Sequence, residues 1–127
     1  MREESPRVTV AVKSPTSSPK TTASRLAADP VEVTRMMWRD VGLFRDSDGL
    51  SRALEVLEPA SRGIDAVFNE GQVLNPDDWR TASILTVGRL IARAALRRQE
   101  SRGGHYRADF PDRDDVHWKK RVSETKT

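Results

Sequence analysis

The feature that most constrains this chain is the run from Pro76 to Ser101, which has no proline after its first residue and repeats apolar side chains at helical spacing. Asn75-Pro76 sets a cap residue before a proline at the first helical position, and Asp77 and Asp78 complement the positive helix terminus. At 1.5 Å per residue such a helix is about 39 Å long. Ala82, Leu85, Val87, Leu90, Ile91, Ala94 and Ala95 cover a wide arc of it, which predicts the central, most buried helix of its fold. Gly103 and Gly104 are expected to end it, since glycine enters left-handed backbone conformations freely, and Pro111 prevents a return to helix.

Two further helical patterns precede this one. Asp29-Pro30 is a second cap-plus-proline signal, and Val33, Met36, Met37, Val41 and Phe44 recur at three- and four-residue spacing, with Gly42 marking the end. Met36, Met37 and Trp38 fit core packing better than a ligand pocket. Asp46-Ser47-Asp48-Gly49 forms a turn with cap candidates, and Leu50, Leu54, Leu57, Ile64 and Val67 define a second amphipathic helix ending at Gly71. Pro59 within it is expected to kink or split the helix near Glu58. Three helices with short connections imply an all-α fold, an antiparallel up-down-up three-helix bundle. The expected partition is a flexible N-terminal segment over residues 1–29, the bundle over 30–101, and an extended C-terminal strap and tail over 102–127. The first 29 residues are rich in Ser, Thr, Pro and Lys and are expected to be disordered, apart from an apolar run at Val8–Val12 that suits an edge strand against a partner.

Composition narrows the chemistry. The chain has no cysteine, which excludes disulfides and thiolate metal sites and is compatible with a cytoplasmic location. No apolar run reaches membrane-spanning length. The net charge of +3 invites a nucleic-acid partner, but residues 30–75 carry five arginines against eight acids and residues 76–107 carry seven against three. The basic excess is therefore local, and no nucleic-acid partner is expected. Arg89, Arg93 and Arg97 align along one side of the third helix, as a solvated face or as a row meeting acids on a neighbouring surface. His105 and His117 lie twelve residues apart among aspartates, at a spacing that matches no standard metal site. No nucleophile-elbow serine, phosphate-cradling glycine loop or βαβ unit is present. No catalytic, cofactor-binding or metal-binding residue is expected within this chain.

The densest chemistry lies after the third helix. Arg102, His105, Tyr106, Arg107, Asp109 and Phe110 fall between the glycine pair and Pro111, or close beside them. The segment reads either as a strap that grips another surface or as a helix end followed by a solvated, salt-bridged tail.

The run Glu100-Ser101-Arg102-Gly103-Gly104-His105-Tyr106-Arg107-Ala108-Asp109-Phe110-Pro111, with Asp114-Asp115 and Trp118, resembles the C-terminal signature of a flavoprotein family. That family holds L-aspartate oxidases and the flavoprotein subunits of succinate dehydrogenase and fumarate reductase, and its C-terminal domain is a three-helix bundle. Met37-Trp38, Val41-Gly42-Leu43, Arg45 and Gly49-Leu50 resemble the L-aspartate oxidase branch, whereas the dehydrogenases usually place Gln after that methionine. The resemblance implies a parent enzyme that oxidises L-aspartate to iminosuccinate with FAD in NAD biosynthesis, passing electrons to oxygen or fumarate. The family's flavin-binding region and catalytic residues precede the bundle, so none maps here, and the chain is expected to be a C-terminal fragment or a truncated reading frame. The implied partner is the flavin-binding domain of the same enzyme, with Arg102, His105, Tyr106 and Arg107 as interdomain contacts. The alternatives are the same domain of a succinate dehydrogenase or fumarate reductase flavoprotein, or a free-standing helical interaction module.

Overall fold

A computed structural model describes residues 26–125. Its three helices are α1 (Pro30–Val41), α2 (Ser47–Asn69) and α3 (Pro76–Arg97), and the described residues contain no β-strand beyond isolated bridges. The expected flexible segment and the Val8–Val12 run lie outside the described residues, except for residues 26–29. Among these, Leu26 is buried in the core, so the packed residues begin upstream of Pro30.

Each helix starts where its cap dictates. Asp29, Asp46 and Asn75 each turn a side-chain oxygen onto a backbone N–H of the first turn, accepting from Val31, Gly49 and Asp78. These bonds satisfy donors that the helix itself leaves unpaired. α1 ends at Gly42, in a backbone conformation where a β-carbon would run into the carbonyl oxygen of Trp38, so the position calls for glycine. This break also takes Phe44 off the helical stripe: instead of joining the core it is exposed.

The core is built from Val33, Met36 and Val41 of α1, Leu50, Ala53, Leu57 and Ile64 of α2, and Ala82, Leu85, Ala92 and Ala95 of α3. Small residues let the helices approach closely. A β-carbon on Gly88 would sit 3.1 Å from the Met37 sulfur and 3.5 Å from Leu57.

Three expectations are corrected by the structure. Of the expected kink or split at Glu58, the split does not occur: α2 runs as one helix through Pro59. Proline removes one backbone bond, and the burial of Leu57 and Ile64 on either side holds the segment helical. α3 is buried on one side only, with Val87, Leu90 and Ile91 facing outward. Finally, α3 ends at Arg97 rather than at Ser101, and the glycine pair does not terminate it. Arg98 is already extended, with φ −80° and ψ 99°. Gly103, at φ 57°, instead forms the tip of a tight turn in which Arg102 and His105 exchange backbone hydrogen bonds of 2.8 and 3.0 Å.

Candidate functional site

In an antiparallel bundle the C-terminus of α1, the N-terminus of α2 and the C-terminus of α3 share one end. The strap closes that end, and a different polar side chain satisfies each terminus. Arg45 lies in the α1–α2 connection and donates from Nε to the carbonyls of Val41 and Gly42 at 2.9 and 3.0 Å. Asp109 accepts from the backbone N–H of Ser47 at 3.0 Å and from its hydroxyl at 2.5 Å, which sets a carboxylate at the positive end of α2. Arg107 donates from Nη1 to the carbonyls of Ala95, Leu96 and Arg98 at 2.8, 3.0 and 3.3 Å, which serves the orphan acceptors at the end of α3.

Arg107 is the centre of this arrangement and is 0% exposed. Its Nε and Nη2 each reach an oxygen of Asp109 at 2.8 Å, and Nη2 also donates to the Ser47 hydroxyl at 2.8 Å. The planar fork matches the carboxylate bidentately, and its face lies 5.1 Å from the centroid of the Phe110 ring. The Arg107 bond holds the Asp109 carboxyl well below the usual carboxylate range, against the opposing effect of burial.

The backbone joins in. The strap pairs with the α1–α2 connection through Arg45 N–H to Tyr106 O at 3.3 Å and Ala108 N–H to Arg45 O at 2.6 Å. The Ser101 hydroxyl accepts from the Arg107 N–H at 2.9 Å and donates to the Phe110 carbonyl at 2.8 Å, which pins the strap's two tight turns together.

Glu100 forms a second buried node. Its carboxylate accepts from Arg98 at 2.5 Å, from Arg102 at 2.8 and 3.1 Å, and from the Asp114 backbone N–H at 2.9 Å. These donors, Arg102 first, hold its pKa down to about 2. Arg102 also pairs with Asp115 at 2.6 Å, and its two carboxylate partners raise its own pKa.

His105 bridges the two nodes. Its Nδ1 stands 3.0 Å from Arg45 Nη1 and its Nε2 3.0 Å from the Arg98 carbonyl. Guanidinium only donates and a carbonyl only accepts, so the ring is the neutral tautomer with hydrogen on Nε2. Burial first, then the neighbouring Arg45, Arg107 and Arg98 charges, pushes its pKa below the ordinary histidine value.

The four residues expected as interdomain contacts thus stand in different places. Arg107 is enclosed, Arg102 is committed to Glu100 and Asp115, and His105 is held between Arg45 and Arg98. Tyr106 remains open, packed edge-on against Phe44 at 5.8 Å between centroids. Arg45 and Ser101 were quoted in the sequence only for their place in a motif; nothing local marks them as a cap and a pin. The arginine row meets acids: Arg89 and Arg93 approach Glu58 of α2, and Arg93 and Arg97 hold Glu124 of the tail.

Among the described residues no three histidine, aspartate or glutamate side chains gather to hold a metal ion, and no helix is long and apolar enough to cross a membrane. Apolar side chains nevertheless face solvent around the end of α1, where Trp38, Leu43 and Phe44 are 74, 68 and 78% exposed.

Residues 31–126 match the family described as fumarate reductase flavoprotein C-term. An L-aspartate oxidase of Streptomyces coelicolor is 36% identical over 93 residues, covering 71% of this chain and 16% of that protein. An L-aspartate oxidase of Caulobacter vibrioides is 44% identical over 82 residues, covering 65% of this chain and 13% of that protein. The fumarate reductase flavoprotein subunit of Helicobacter pylori is 37% identical over 92 residues, covering 68% and 13%. The chain therefore spans about a seventh of the length of these curated relatives. A three-helix bundle whose end is closed by the matched strap belongs, on these grounds, to the flavoprotein family of the fumarate reductases and L-aspartate oxidases, as its C-terminal domain.

Proposed function

We propose that this chain is the helical domain of an L-aspartate oxidase, docking on a flavin-binding domain in which FAD oxidises L-aspartate to iminosuccinate. The observation that carries the proposal is the exposed cluster of Trp38, Leu43 and Phe44, continuous with Tyr106 of the strap through the Phe44 ring contact. Exposed aromatic clusters of this kind are the usual anchors of protein interfaces. Trp38 also stands where the sequence resembles the aspartate oxidases rather than the dehydrogenases, which favours that branch.

The residues of this chain do not fit FAD itself. Each helix N-terminus already holds a side-chain oxygen on one of its N–H groups, from Asp29, Asp46 and Asn75, and the Asp109 carboxylate also sits at the start of α2, so acceptors occupy the positions where a pyrophosphate would be held. The catalytic work is accordingly assigned to the flavin-binding partner, and this domain contributes a rigid docking face. Tyr106 alone of the four strap residues is proposed as a direct contact, while Arg102, His105 and Arg107 hold the strap in shape.

The test is to mix the chain with the FAD-loaded upstream portion of the Streptomyces coelicolor enzyme and measure complex formation by titration calorimetry. A one-to-one complex is expected, weakened roughly 30-fold by Trp38→Ala if that side chain is a hot spot worth about 2 kcal/mol. Binding that ignores Trp38→Ala and Phe44→Ala together would overturn the choice of face.

A further inference from the structure

α3 carries more apolar surface than the bundle uses. Its inward side buries Ala82, Leu85, Ala92 and Ala95, yet Val87, Leu90 and Ile91 on the outward arc are 55, 41 and 41% exposed, and Ala94 is exposed between them. These four are three or four residues apart, so they form one continuous strip along the helix. A helix apolar on both sides is normally covered on both.

The strip has a charged margin whose chemistry is already on display. Arg93 and Arg97 lie one turn from Leu90 and Ala94 on the same side, and both hold the carboxylate of Glu124, at 2.9 and 2.5 Å. The row therefore accepts a carboxylate with one guanidinium on each oxygen. The tail that delivers Glu124 adds little else there: the Arg97 contact to the Ser123 carbonyl is 3.5 Å long. A cleft of about 280 Å³ lies at this row, lined by Arg89, Arg93, Arg97, Asp65, Ser123, Glu124 and Thr125. Glu58 neutralises the Arg89 end of the row, at 3.2 Å from Arg89 and 3.7 Å from Arg93, which leaves the Arg93–Arg97 pair as the place for one further negative charge.

We propose that the outward face of α3 is a docking surface for a polypeptide segment that sets one carboxylate beside apolar side chains, and that Glu124 fills the arginine pair until such a segment displaces it. Charge complementarity selects the occupant. A wholly apolar partner would leave Arg93 and Arg97 against it with the tail still in place, whereas a segment with its own acid replaces the Glu124 pairing one for one and covers Val87, Leu90, Ile91 and Ala94 as well. Replacement rather than addition makes the tail a competitor, so the surface opens to acidic partners in preference to neutral ones.

The experiment uses the full chain, its Glu124→Gln variant, and two synthetic amphipathic helical peptides with leucines along one face. One peptide carries a single glutamate at the edge of that face and the other a glutamine, and binding is read by fluorescence anisotropy. The glutamate peptide is expected to bind the Glu124→Gln chain at least tenfold more tightly than the unsubstituted chain, and Leu90→Asn to reverse the gain. The glutamine peptide is expected to show no such preference. Combined Arg93→Gln and Arg97→Gln substitution should erase the preference. If that variant loses helical signal, added salt must weaken the glutamate complex of the Glu124→Gln chain, where the peptide's ion pair is a net gain, and leave the glutamine complex of that chain unchanged. Equal affinity for the two chains, equal affinity for the two peptides, or no binding of either peptide would each overturn the proposal.

Discussion

Replacing Arg107 by methionine probes the closed end of the bundle most sharply, because it keeps much of the volume and removes every donor. In the structure that guanidinium serves three carbonyls at the end of α3, both oxygens of Asp109 and the Ser47 hydroxyl, and it is completely enclosed. Breaking a buried ion pair from one side typically costs about 3 to 5 kcal/mol, against under about 1 kcal/mol for an exposed pair. Asp109 retains partial exposure and the Ser47 bonds, so its stranded charge can be partly rehydrated, which moves the expected loss to the lower end, about 3 kcal/mol. For a domain of this size that corresponds to a melting temperature lower by roughly 12 to 24 °C. Urea unfolding followed by circular dichroism reads the loss, and Asp109→Asn in the same series gives the coupling between the partners. The two substitutions together should cost less than the sum of the singles, by at least about 1 kcal/mol, since they share one network. Arg107→Lys should recover only part of the loss, because an ammonium cannot present the same fork. A loss under about 1 kcal/mol for Arg107→Met would refute the reasoning, since that is the magnitude of a solvated surface pair.

Three further outcomes are expected. Glu100 and Asp109 both titrate below their ordinary range when folded, so the stability they contribute is present above their unfolded pKa of about 4 and is lost as pH falls from there toward 2; acid titration of the unfolding free energy should decline through that window and stay flat with respect to them above pH 5. His105 is held neutral, so its contribution is full above the ordinary histidine value of about 6.5 and falls as pH drops below it, and NMR titration should place its pKa under that of a random-coil histidine, a normal value contradicting the Arg45 and Arg98 contacts. Gly42→Ala should destabilise by about 1 to 3 kcal/mol in thermal unfolding, because the added methyl has only the backbone of Trp38 to push against.

The bundle was legible because its signals are local. Caps at Asp29, Asp46 and Asn75 and apolar spacing at Val33, Met36, Leu50, Leu57 and Leu85 each depend on residues within two turns of one another. What failed depends on the neighbours. Val87, Leu90 and Ile91 carry the same helical periodicity as Leu85, and periodicity cannot say which of two apolar arcs meets α2. The glycine pair looked like a helix stop, yet α3 ends six positions before Gly103, and the next residue, Arg98, turns out to meet Glu100 and the tail carbonyls of Trp118 and Lys120. Pro59 should weaken an isolated helix, but α2 is not isolated.

The strap shows the same limit. The resemblance pointed to the right family, but the residues alone left a strap gripping another surface and a salt-bridged tail both open; the Arg102–Glu100 and Arg107–Asp109 pairs within the chain belong to the second reading, and the contacts across the fold had no local signal. Arg107 needs acceptors from residues 95, 96, 98 and 109 and from Ser47, and only the folded chain brings Ser47 to that place, 60 positions away in sequence. Arg45 and His105 are likewise 60 positions apart. Within this chain the Arg107 side chain ties the end of α3 to the start of α2, while Arg45 serves the end of α1.

The central claim is that this bundle is a docking domain whose exposed aromatic face, with Tyr106 as the one strap residue on it, meets the flavin-binding partner. Solvent labelling of Trp38 with and without the FAD-loaded upstream portion of the Streptomyces coelicolor enzyme tests it most directly, by mass spectrometry of the oxidised indole. Strong protection of Trp38 on complex formation is the expected result, with Trp118 in the tail as the internal comparison. Unchanged labelling of Trp38 in a complex shown to have formed would contradict the account.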